Sequence, residues 1–394
     1  MLKNDILFVG VGQCGGNITQ ELEKLNFNSY YVNSSLEDLD TIDTDISNKY
    51  HIPKTKGMAK DRQYALEVLG SNDNLPNITN KIYENFSNCR IVYFVLSLGG
   101  GTGGTMGGIL AHDYAESFPE KIVNVIAVLP SSNEDMLIQA NAVKSLEQII
   151  NSYNDGYITN VQILDNDKKD NKEQILKMNS EFAHLMNSLI SFDNISKIGN
   201  LDSEEMERIL TCRGFMSAIQ FKDDSFDVGL NNANEKSIYA DWLKSSSIQG
   251  YVLNQDQDND TNKQLINEVF GIPKTTYYST WDNDNNIIFS LSDNFNENIT
   301  EKLKRTFSEL ANKRARIEQE AKAQMNIDGN EFIDVDFSVV DMSVTRRTHR
   351  NPRNSVRSEV ATTSPTSSGS PMQRRTSRRR QGASSALDTL RSMK

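Results

Sequence analysis

Apolar runs and stretches with helical spacing alternate along the first part of the chain. The apolar runs predict strands at 6–9, 29–33, 91–97, 122–129 and 158–164, and the helical spacing predicts helices at 15–25, 58–69, 104–117 and 135–151. Such alternation is typical of an α/β fold, in which helices cover a parallel sheet and ligands bind at the carboxyl ends of the strands. We therefore predict a parallel-sheet domain over residues 1–171 with its ligand site at that edge.

The pattern changes after this domain. A long helical stripe occupies 172–196, and residues 214–300 mix predicted strands at 215–221, 249–254, 275–281 and 286–292 with a helix near 261–270. A charged amphipathic helix is predicted at 301–325, and residues 333–340 alternate like an edge strand. The second half therefore reads as a long helix, a smaller mixed domain and a C-terminal extension.

Length and residue types fit a large protein without a membrane span. The chain has 394 residues, enough for two domains with a sizeable core. No stretch approaches the roughly 18 uninterrupted apolar residues of a spanning helix, and the N-terminus does not resemble a signal peptide. Cys14, Cys89 and Cys212 are scattered, which predicts neither a disulfide framework nor a zinc site. We expect a cytoplasmic protein with no metal held by protein ligands alone.

Charge is distributed unevenly along the chain. Residues 343–394 carry twelve Lys or Arg and two acidic residues, whereas the whole chain has a net charge of −11. The densest basic block holds Arg374, Arg375, Arg378, Arg379 and Arg380. A stretch this basic and rich in Ser, Thr and Pro cannot bury a core, so we predict a disordered tail within residues 331–394. A tail that merely keeps the protein soluble is the alternative.

Two glycine clusters each follow a predicted strand. The sequence GVGQCGGN at 10–17 follows the first strand, and GGGTGGT at 99–105 follows the third. Because glycine leaves the backbone bare, several N–H groups at a helix N-terminus can converge there on an anion. The clusters therefore predict a phosphate site. A flexible linker is the alternative for the second cluster, although linkers do not begin on a core strand.

The surroundings of the clusters narrow the kind of phosphate ligand. The chain has no Gly-x-x-x-x-Gly-Lys-Ser/Thr motif, which excludes the usual P-loop. Gly10, Gly12 and Gly15 match the dinucleotide pattern, but the acidic residue expected about twenty positions later is absent. Asn33 ends the second strand instead, and it suits hydroxyls or phosphate. An NAD(P)-binding Rossmann enzyme stays as an alternative.

Both clusters resemble those of one protein family. Residues 12–18 resemble the first nucleotide loop of tubulins, and residues 99–107 resemble the glycine-rich signature that tubulins share with the bacterial division protein FtsZ. With its basic tail, the chain is most similar to the plasmid and phage branch called TubZ. The resemblance implies a GTP-binding domain at 1–171, a central helix at 172–197, a smaller α+β activation domain with a catalytic loop at 198–300, and a charged helix at 301–330.

The resemblance also implies GTP or GDP as the ligand, with Mg²⁺ held mainly by phosphates and water. Glu134 ends a Pro-x-x-x-Glu loop that touches the ribose in FtsZ, although Ile138 replaces the arginine that follows there. For Gly57, an ordinary loop residue is the alternative. The residues implied in nucleotide binding are Gly12, Gln13, Cys14, Asn17, Asn33, Gly57, Gly100, Gly101, Thr102, Gly103, Gly104, Thr105, Glu134 and Asn187.

Recognition of the guanine base is assigned to the central helix by the same resemblance. Asn187 aligns with the family asparagine that pairs with the base, and Asn17 is a second candidate. Phe182 lies one position away from the place of the FtsZ stacking aromatic, so we expect it in the core.

The sequence NLDSEEM at 200–206 resembles the Asn-x-Asp-x-x-Asp loop of FtsZ, with Glu205 in place of the second aspartate. In the family this loop enters the nucleotide site of the next subunit and polarises the attacking water. Asp202 and Glu205 are three residues apart at a predicted helix start, so both lie on one face. The alternative is a plain N-cap with an acidic first turn. We expect catalysis in trans within a head-to-tail filament.

The basic tail indicates which biological role the predicted filament has. TubZ filaments segregate plasmid or phage DNA through a DNA-bound adaptor protein that grips the tail. We therefore expect an adaptor with centromere-like DNA as the partner of the arginine block, and weak direct DNA contact through counterion release. A basic tail also suits anionic lipid, which would favour an FtsZ-like division or membrane-associated filament.

Overall fold

The structure is a computed structural model that describes residues 2–169, 171–190, 201–222, 225–281 and 284–327. The strands in these ranges are β1 (Ile6–Val11), β2 (Asn28–Asn33), β3 (Lys49–His51), β4 (Ile91–Ser97), β5 (Ile122–Leu129), β6 (Asn160–Asp165), β7 (Gly214–Phe221), β8 (Ile248–Asn254), β9 (Thr275–Trp281) and β10 (Asn286–Ser292). The helices are α1 (Gly12–Glu23), α2 (Leu36–Asp40), α3 (Arg62–Leu69), α4 (Asn74–Asn85), α5 (Thr102–Ser117), α6 (Met136–Asn154), α7 (Lys172–Ile190), α8 (Ser203–Thr211), α9 (Phe226–Glu235), α10 (Asp260–Phe270) and α11 (Asn298–Ile327).

All ten strands form one sheet in the order β3-β2-β1-β4-β5-β6-β7-β10-β8-β9. Strands β1 to β6 are parallel to their neighbours, so they all end at one edge, here called the carboxyl edge, and begin at the opposite amino edge. Strand β7 joins β6 through three residue pairs, from Asn160↔Gly214 to Gln162↔Met216. The predicted α/β class with a parallel sheet is confirmed. The sheet is continuous across the predicted boundary between domains.

Helices cover both faces of this sheet. Alternate residues of β1 enter different cores: Leu7 and Val9 pack with residues of α3 to α6, whereas Ile6 and Phe8 pack with residues of α1, α7 and α8. All six positions of β1 are buried, as expected for a parallel strand between two helical layers. Phe182 is 0% exposed in the second core, which confirms the core position predicted for it.

Several elements differ from the prediction. Helices α2, α4 and α9 and strand β3 are present but were not predicted. Helix α7 is described to Ile190, so the end of the predicted central helix lies outside the described residues. The predicted strand at 333–340 and the arginine block at 374–380 lie outside them as well. None of the described helices is long and apolar enough to cross a membrane.

Candidate functional site

Two helix N-termini meet at the carboxyl edge of the sheet. Helix α1 begins at Gly12 directly after β1, and α5 begins at Thr102 shortly after β4. Within the described residues, no side chain caps either helix at its N-cap residue, Val11 or Gly101, and neither first turn is acidic. The uncapped N–H groups and the positive ends of two helix dipoles therefore lie side by side, an arrangement suited to anions. We call this arrangement the cradle.

The cradle depends on backbone-to-backbone contact between the two helices. Gly12 has a φ of +73°, and a Cβ atom there would lie 2.9 Å from the backbone N of Gly103. A Cβ atom on Gly103 would lie 2.8 Å from the carbonyl oxygen of Val11. Real Cβ atoms do not approach other atoms so closely, so any side chain at either position would force the helices apart.

Both helices also press against the strands beneath them. A Cβ atom on Gly15 would lie 2.0 Å from the Val95 carbonyl oxygen, and one on Gly104 would lie 2.2 Å from the Leu98 carbonyl oxygen. Gly12 and Gly103, which were predicted in loops, belong to the first turns of α1 and α5, because these helices begin before the predicted starts at 15 and 104. Glycine disfavours helix by about 1 kcal/mol per residue, and this close packing overrides that propensity.

The rim of the cradle is fastened to the turn after β2. The Thr102 hydroxyl hydrogen-bonds the Ser34 hydroxyl at 2.6 Å, and Gly57 N–H donates to the Ser34 carbonyl at 2.8 Å. Gly57 has a φ of +90°, and no atom lies within 4 Å of the position of its Cβ, so it borders open space. The structure thus joins Gly57 and the second cluster through Ser34, and a phosphate contact of Gly57 stays a prediction.

The other predicted side chains of the clusters have different settings. Gln13 is exposed on the first turn of α1, and Cys14 and Asn17 are half-buried. The Thr105 hydroxyl is buried and has no hydrogen-bond partner among the described residues. Gly100 and Gly101 are half-buried at the start of α5, and a Cβ atom on Gly101 would meet the 58–60 segment.

The role predicted for Asn33, a contact with the ligand, does not agree with its hydrogen bonds. Its Nδ2 donates to Asp38 Oδ2 at 3.2 Å, and its Oδ1 accepts from the Ser35 N–H at 3.2 Å. Both ends of the amide are therefore used in the turn that leads into α2. In this structure Asn33 stabilises that turn and does not face the cradle with a free amide.

Glu134 belongs to the loop after β5, which leads into α6 beside the second glycine cluster, where Asn141 Nδ2 donates to the Gly99 carbonyl at 3.4 Å. Burial and, after it, the charge of the Glu134 carboxylate raise the pKa of the Cys14 thiol to about 12. Glu134 Oε1 also accepts from the Ser131 N–H at 3.1 Å, which ties its side chain to its own loop. The loop after β5 thus leads into a helix that contacts the second cluster, and the role of Glu134 at the ribose stays a prediction.

A half-buried cation behind α5 was not predicted from the sequence. The Arg62 guanidinium donates to Ser145 Oγ at 3.1 Å, to Gln148 Oε1 at 3.0 Å and to the Gly104 carbonyl at 3.4 Å. Burial lowers the pKa of Arg62 to about 10, so the group stays protonated at neutral pH. Its positive charge adds to the field at the start of α5. Nothing in the local sequence distinguishes Arg62 from a surface residue of α3.

Asn187 lies at the opposite edge from the cradle. Its Oδ1 accepts from Lys3 Nζ at 2.7 Å, and Lys3 precedes β1 at the amino edge. This position is wrong for the predicted contact with a base bound at the cradle. Asn179, on the same helix, is 5% exposed, and it is about 12 Å nearer the carboxyl edge because an α-helix rises 1.5 Å per residue. Counting turns along α7 from Asn187 toward the carboxyl edge would have pointed to Asn179 as the asparagine nearer the cradle.

Asp202 and Glu205 form a capping box at the start of α8. Asp202 Oδ1 accepts from the Glu205 N–H at 2.8 Å, and Glu205 Oε2 accepts from the Asp202 N–H at 3.2 Å. The N-cap given as the alternative is therefore present, and the catalytic role of the two carboxylates stays a prediction. The Asp202 side chain is exposed, and the Glu205 side chain is half-buried.

Helix α8 lies at the amino edge of the sheet. The Leu210 carbonyl accepts from Asn124 Nδ2 at 3.1 Å near the start of β5, and Glu207 pairs with Arg90 at 2.8 Å just before β4. A seven-residue strand such as β4 is about 23 Å long. One molecule therefore does not bring Asp202 and Glu205 to its own cradle.

No group of three or more His, Cys, Asp or Glu side chains is placed to hold a metal ion in the part of the chain that the structure describes. The donors gathered at the cradle are backbone N–H groups and hydroxyls. Such a set favours an anion at the cradle, with any cation bound through that anion.

Comparison with known proteins gives a match over the part of the chain that contains the cradle. Residues 5–169 match the family model described as the Tubulin/FtsZ family, GTPase domain. The tubulin-like protein TubZ of Clostridium botulinum C phage is 29% identical over 280 residues, which is 70% of this chain and 75% of that protein.

Solved structures agree with the fold. A C-terminal tail truncated TubZ of C. botulinum phage c-st matches with a TM-score of 0.72 and 26% identity, over 79% of this chain and all of that one. A GTPγS-form protofilament of TubZ from Bacillus thuringiensis serovar israelensis matches with a TM-score of 0.69 and 17% identity, over 80% of this chain and 94% of that one. At 17% identity the second likeness concerns the fold alone.

Proposed function

We propose that the chain is a GTPase of the Tubulin/FtsZ family, the family whose GTPase-domain model matches residues 5–169, and that it binds GTP, hydrolyses it and assembles into dynamic filaments. The observation that carries the proposal is the separation of two sites across one sheet. The cradle lies at the carboxyl edge, and the acidic start of α8 lies at the amino edge. A head-to-tail stack of copies would bring the two together at every interface.

The nucleotide phosphates bind the backbone N–H groups of residues 12–14 and 100–105 in this proposal. Uncapped first turns in α1 and α5 supply the donors, and Glu134 beside Cys14 marks the ribose side. Mg²⁺ is held mainly by phosphates and water. It neutralises phosphate charge when bound, while the N–H groups of the chain hold and orient the phosphates.

We assign the base contact to Asn179 in place of Asn187. A buried amide on the helix that packs against α1 supplies both a donor and an acceptor for the edge of guanine. Asn179→Ala should weaken GTP and GDP binding about tenfold to a hundredfold, as expected for the loss of one or two base hydrogen bonds. Isothermal titration calorimetry with GTP, ITP and ATP measures this loss.

Asn187→Ala is the matched control for the base contact. It removes the same amide group at the amino edge, so GTP affinity should stay within about twofold of the unmodified protein, since its Lys3 bond lies far from the cradle. Equal losses in the two variants would contradict the assignment of the base contact to Asn179.

Hydrolysis occurs at the interface between copies in this proposal. Asp202 and Glu205 of one subunit approach the γ-phosphate on the next and polarise the attacking water. Loss of the γ-phosphate then removes contacts at that interface, so filaments carrying GDP disassemble. The protofilament form of the Bacillus thuringiensis protein supports a head-to-tail arrangement for this fold.

The role that we favour is segregation of plasmid or phage DNA in the cytoplasm, through a DNA-bound adaptor that grips the basic tail. Its support is the likeness to a phage TubZ together with twelve Lys or Arg residues in positions 343–394. An FtsZ-like division or membrane-associated filament is the alternative, because the same tail suits anionic lipid.

The test measures GTP hydrolysis per subunit against protein concentration with Mg²⁺, and pellets the same samples. We expect hydrolysis and pelleted polymer to rise together above one threshold concentration, because each active site needs two subunits. Turnover proportional to concentration with an empty pellet would mean a self-contained nucleotidase. Tight NAD binding without polymer would favour the dinucleotide alternative.

A further inference from the structure

One lysine of the C-terminal helix joins two acidic residues at the carboxyl edge. Lys302 Nζ of α11 lies 2.8 Å from Asp165 Oδ2, at the end of β6, and 2.8 Å from Asp167 Oδ2, in the turn that follows. The Asp165 side chain is 5% exposed and that of Asp167 is 20% exposed, so both carboxylates are largely removed from water. Without Lys302 these two negative charges would lie close together without a counter-ion.

Asp167 in turn holds the loop after β5. Its Oδ1 accepts from the Ser132 N–H at 2.7 Å, from Ser131 Oγ at 2.9 Å and from Ser132 Oγ at 3.0 Å. Although burial opposes ionisation, the bonds from Lys302 and from the Ser132 N–H lower the pKa of Asp167 below its usual range. The charged form of Asp167 is therefore the one that this network stabilises.

The same loop carries Glu134. Its Oε1 accepts from the Ser131 N–H at 3.1 Å, and its carboxylate affects the pKa of Cys14 in the first turn of α1. A continuous series of contacts therefore runs from Lys302 through Asp167 to the 131–134 loop. The next residue, Asp135, pairs with Lys60 at 2.8 Å, and the backbone of Lys60 lies against Gly101 of the cradle.

We propose that Lys302 is a positioning residue that sets the 131–134 loop at the cradle and thereby couples helix α11 to the bound nucleotide. Only the nucleotide part rests on the proposed function, because the effect on the loop is a property of the nucleotide-free chain. Helix α11 continues to Ile327, where the sequence proceeds to the basic segment. A load on that segment would act on the helix that holds the loop.

Lys304 provides a matched control on the same helix. It pairs with Glu147 at 3.5 Å, and both side chains are about half exposed, at 50% and 52%. Exposed pairs of this kind contribute little to stability. Replacement of Lys304 by methionine removes the same charge from α11 and leaves the network around Asp167 intact.

The first experiment measures amide hydrogen exchange at residues 131–135 in the full, nucleotide-free chain. Lys302→Met should speed exchange there about tenfold or more, since charge-assisted hydrogen bonds to the loop are weakened. Lys304→Met should leave the exchange rate within about twofold, and Lys302→Arg should restore most of the protection because it keeps the charge. Unchanged exchange in Lys302→Met would overturn the proposal.

The second experiment measures GDP affinity in the same variants. Lys302→Met should weaken GDP binding about tenfold, whereas Lys304→Met should not, because only the first displaces Glu134. Faster loop exchange with unchanged GDP affinity would overturn the coupling to nucleotide. If the unmodified chain bound neither GTP nor GDP, the proposed function would fail, and the exchange experiment would still decide the role of Lys302 in the loop.

Lys302→Met could fold poorly because it leaves two buried carboxylates unpaired. The double variant Lys302→Met/Asp165→Asn removes one of those charges and keeps the hydrogen bonds that Asp167 accepts from the loop. Loop exchange in the double variant should still be faster than in the unmodified chain, since Lys302 no longer ties Asp167 to α11. Exchange at the unmodified rate in a folded double variant would overturn the proposal.

Discussion

Asp202→Asn should leave GTP binding intact and slow GTP hydrolysis by filaments about a hundredfold or more, as expected when a group that acts on the attacking water is lost. An asparagine Oδ1 still accepts from the Glu205 N–H, so the start of α8 stays capped. The substitution therefore removes the carboxylate and keeps the helix. Filaments should persist after GTP addition, because their interfaces keep the γ-phosphate.

The measurement is phosphate release above the assembly threshold, together with pelleting at successive times after GTP addition. Glu204→Gln is the control, since it neutralises an exposed carboxylate in the same first turn that takes no part in the capping box. Equal slowing in both variants would point to general surface charge. Turnover at the unmodified rate in Asp202→Asn would exclude a catalytic role for Asp202.

Asp202→Ala separates capping from chemistry. It removes both the carboxylate and the cap, so it should lower the free energy of unfolding by about 1 kcal/mol in addition to slowing hydrolysis. Thermal unfolding of the alanine and asparagine variants measures the difference. Equal stability of the two would mean that the capping box contributes nothing measurable.

Replacing the five arginines of the 374–380 block by glutamine should make the dependence of log DNA affinity on log salt concentration less steep by about four units of slope. The reason is that each contact with a phosphate releases a condensed counterion. Binding of the unmodified chain to naked DNA should be detectable near 50 mM salt and largely lost by about 200 mM salt, a change of several powers of ten for this number of charges. Co-pelleting of filaments with labelled duplex across a salt series measures the slope.

The tail contains its own matched control. Arg346, Arg347, Arg350, Arg353 and Arg357 are also five arginines, but they are spread over a longer stretch. Their replacement should affect DNA binding less, because spaced charges follow the phosphates less closely. Equal effects would mean that only total charge matters. Binding to anionic vesicles with no binding to DNA would favour the membrane-associated alternative.

Much of the fold could be predicted because parallel strands buried on both faces read as continuous apolar runs. Strand β4 and helix α6 are examples, with six successive buried positions in the first and a regular apolar stripe in the second. Helix α4 was missed because its sequence NLPNITNKIYEN is rich in residues that favour turns, and its buried face is made by only a few of them.

The candidate site was predicted unevenly for a physical reason. Glycine clusters after strands indicate where the backbone packs closely, and they can be recognised in the local sequence. Both glycine clusters that form the cradle could therefore be located from the sequence. The base contact was assigned to Asn187 because residue type alone does not say how far along α7 the carboxyl edge lies. Asn33 was misassigned because its partner Asp38 belongs to a helix that was not predicted. Arg62 and Lys302 act through residues distant in sequence, which spacing does not reveal.

Gly15 and Gly104 also limit how this site can evolve. Every single-base change in a glycine codon that alters the amino acid adds at least a Cβ atom, which at Gly15 would lie 2.0 Å from the Val95 carbonyl oxygen and at Gly104 would lie 2.2 Å from that of Leu98. At neither position is there therefore a substitution that changes the structure only slightly. Gradual adjustment of the cradle is left to exposed side chains around it such as Gln13, whereas the backbone at these two positions is inherited unchanged or lost.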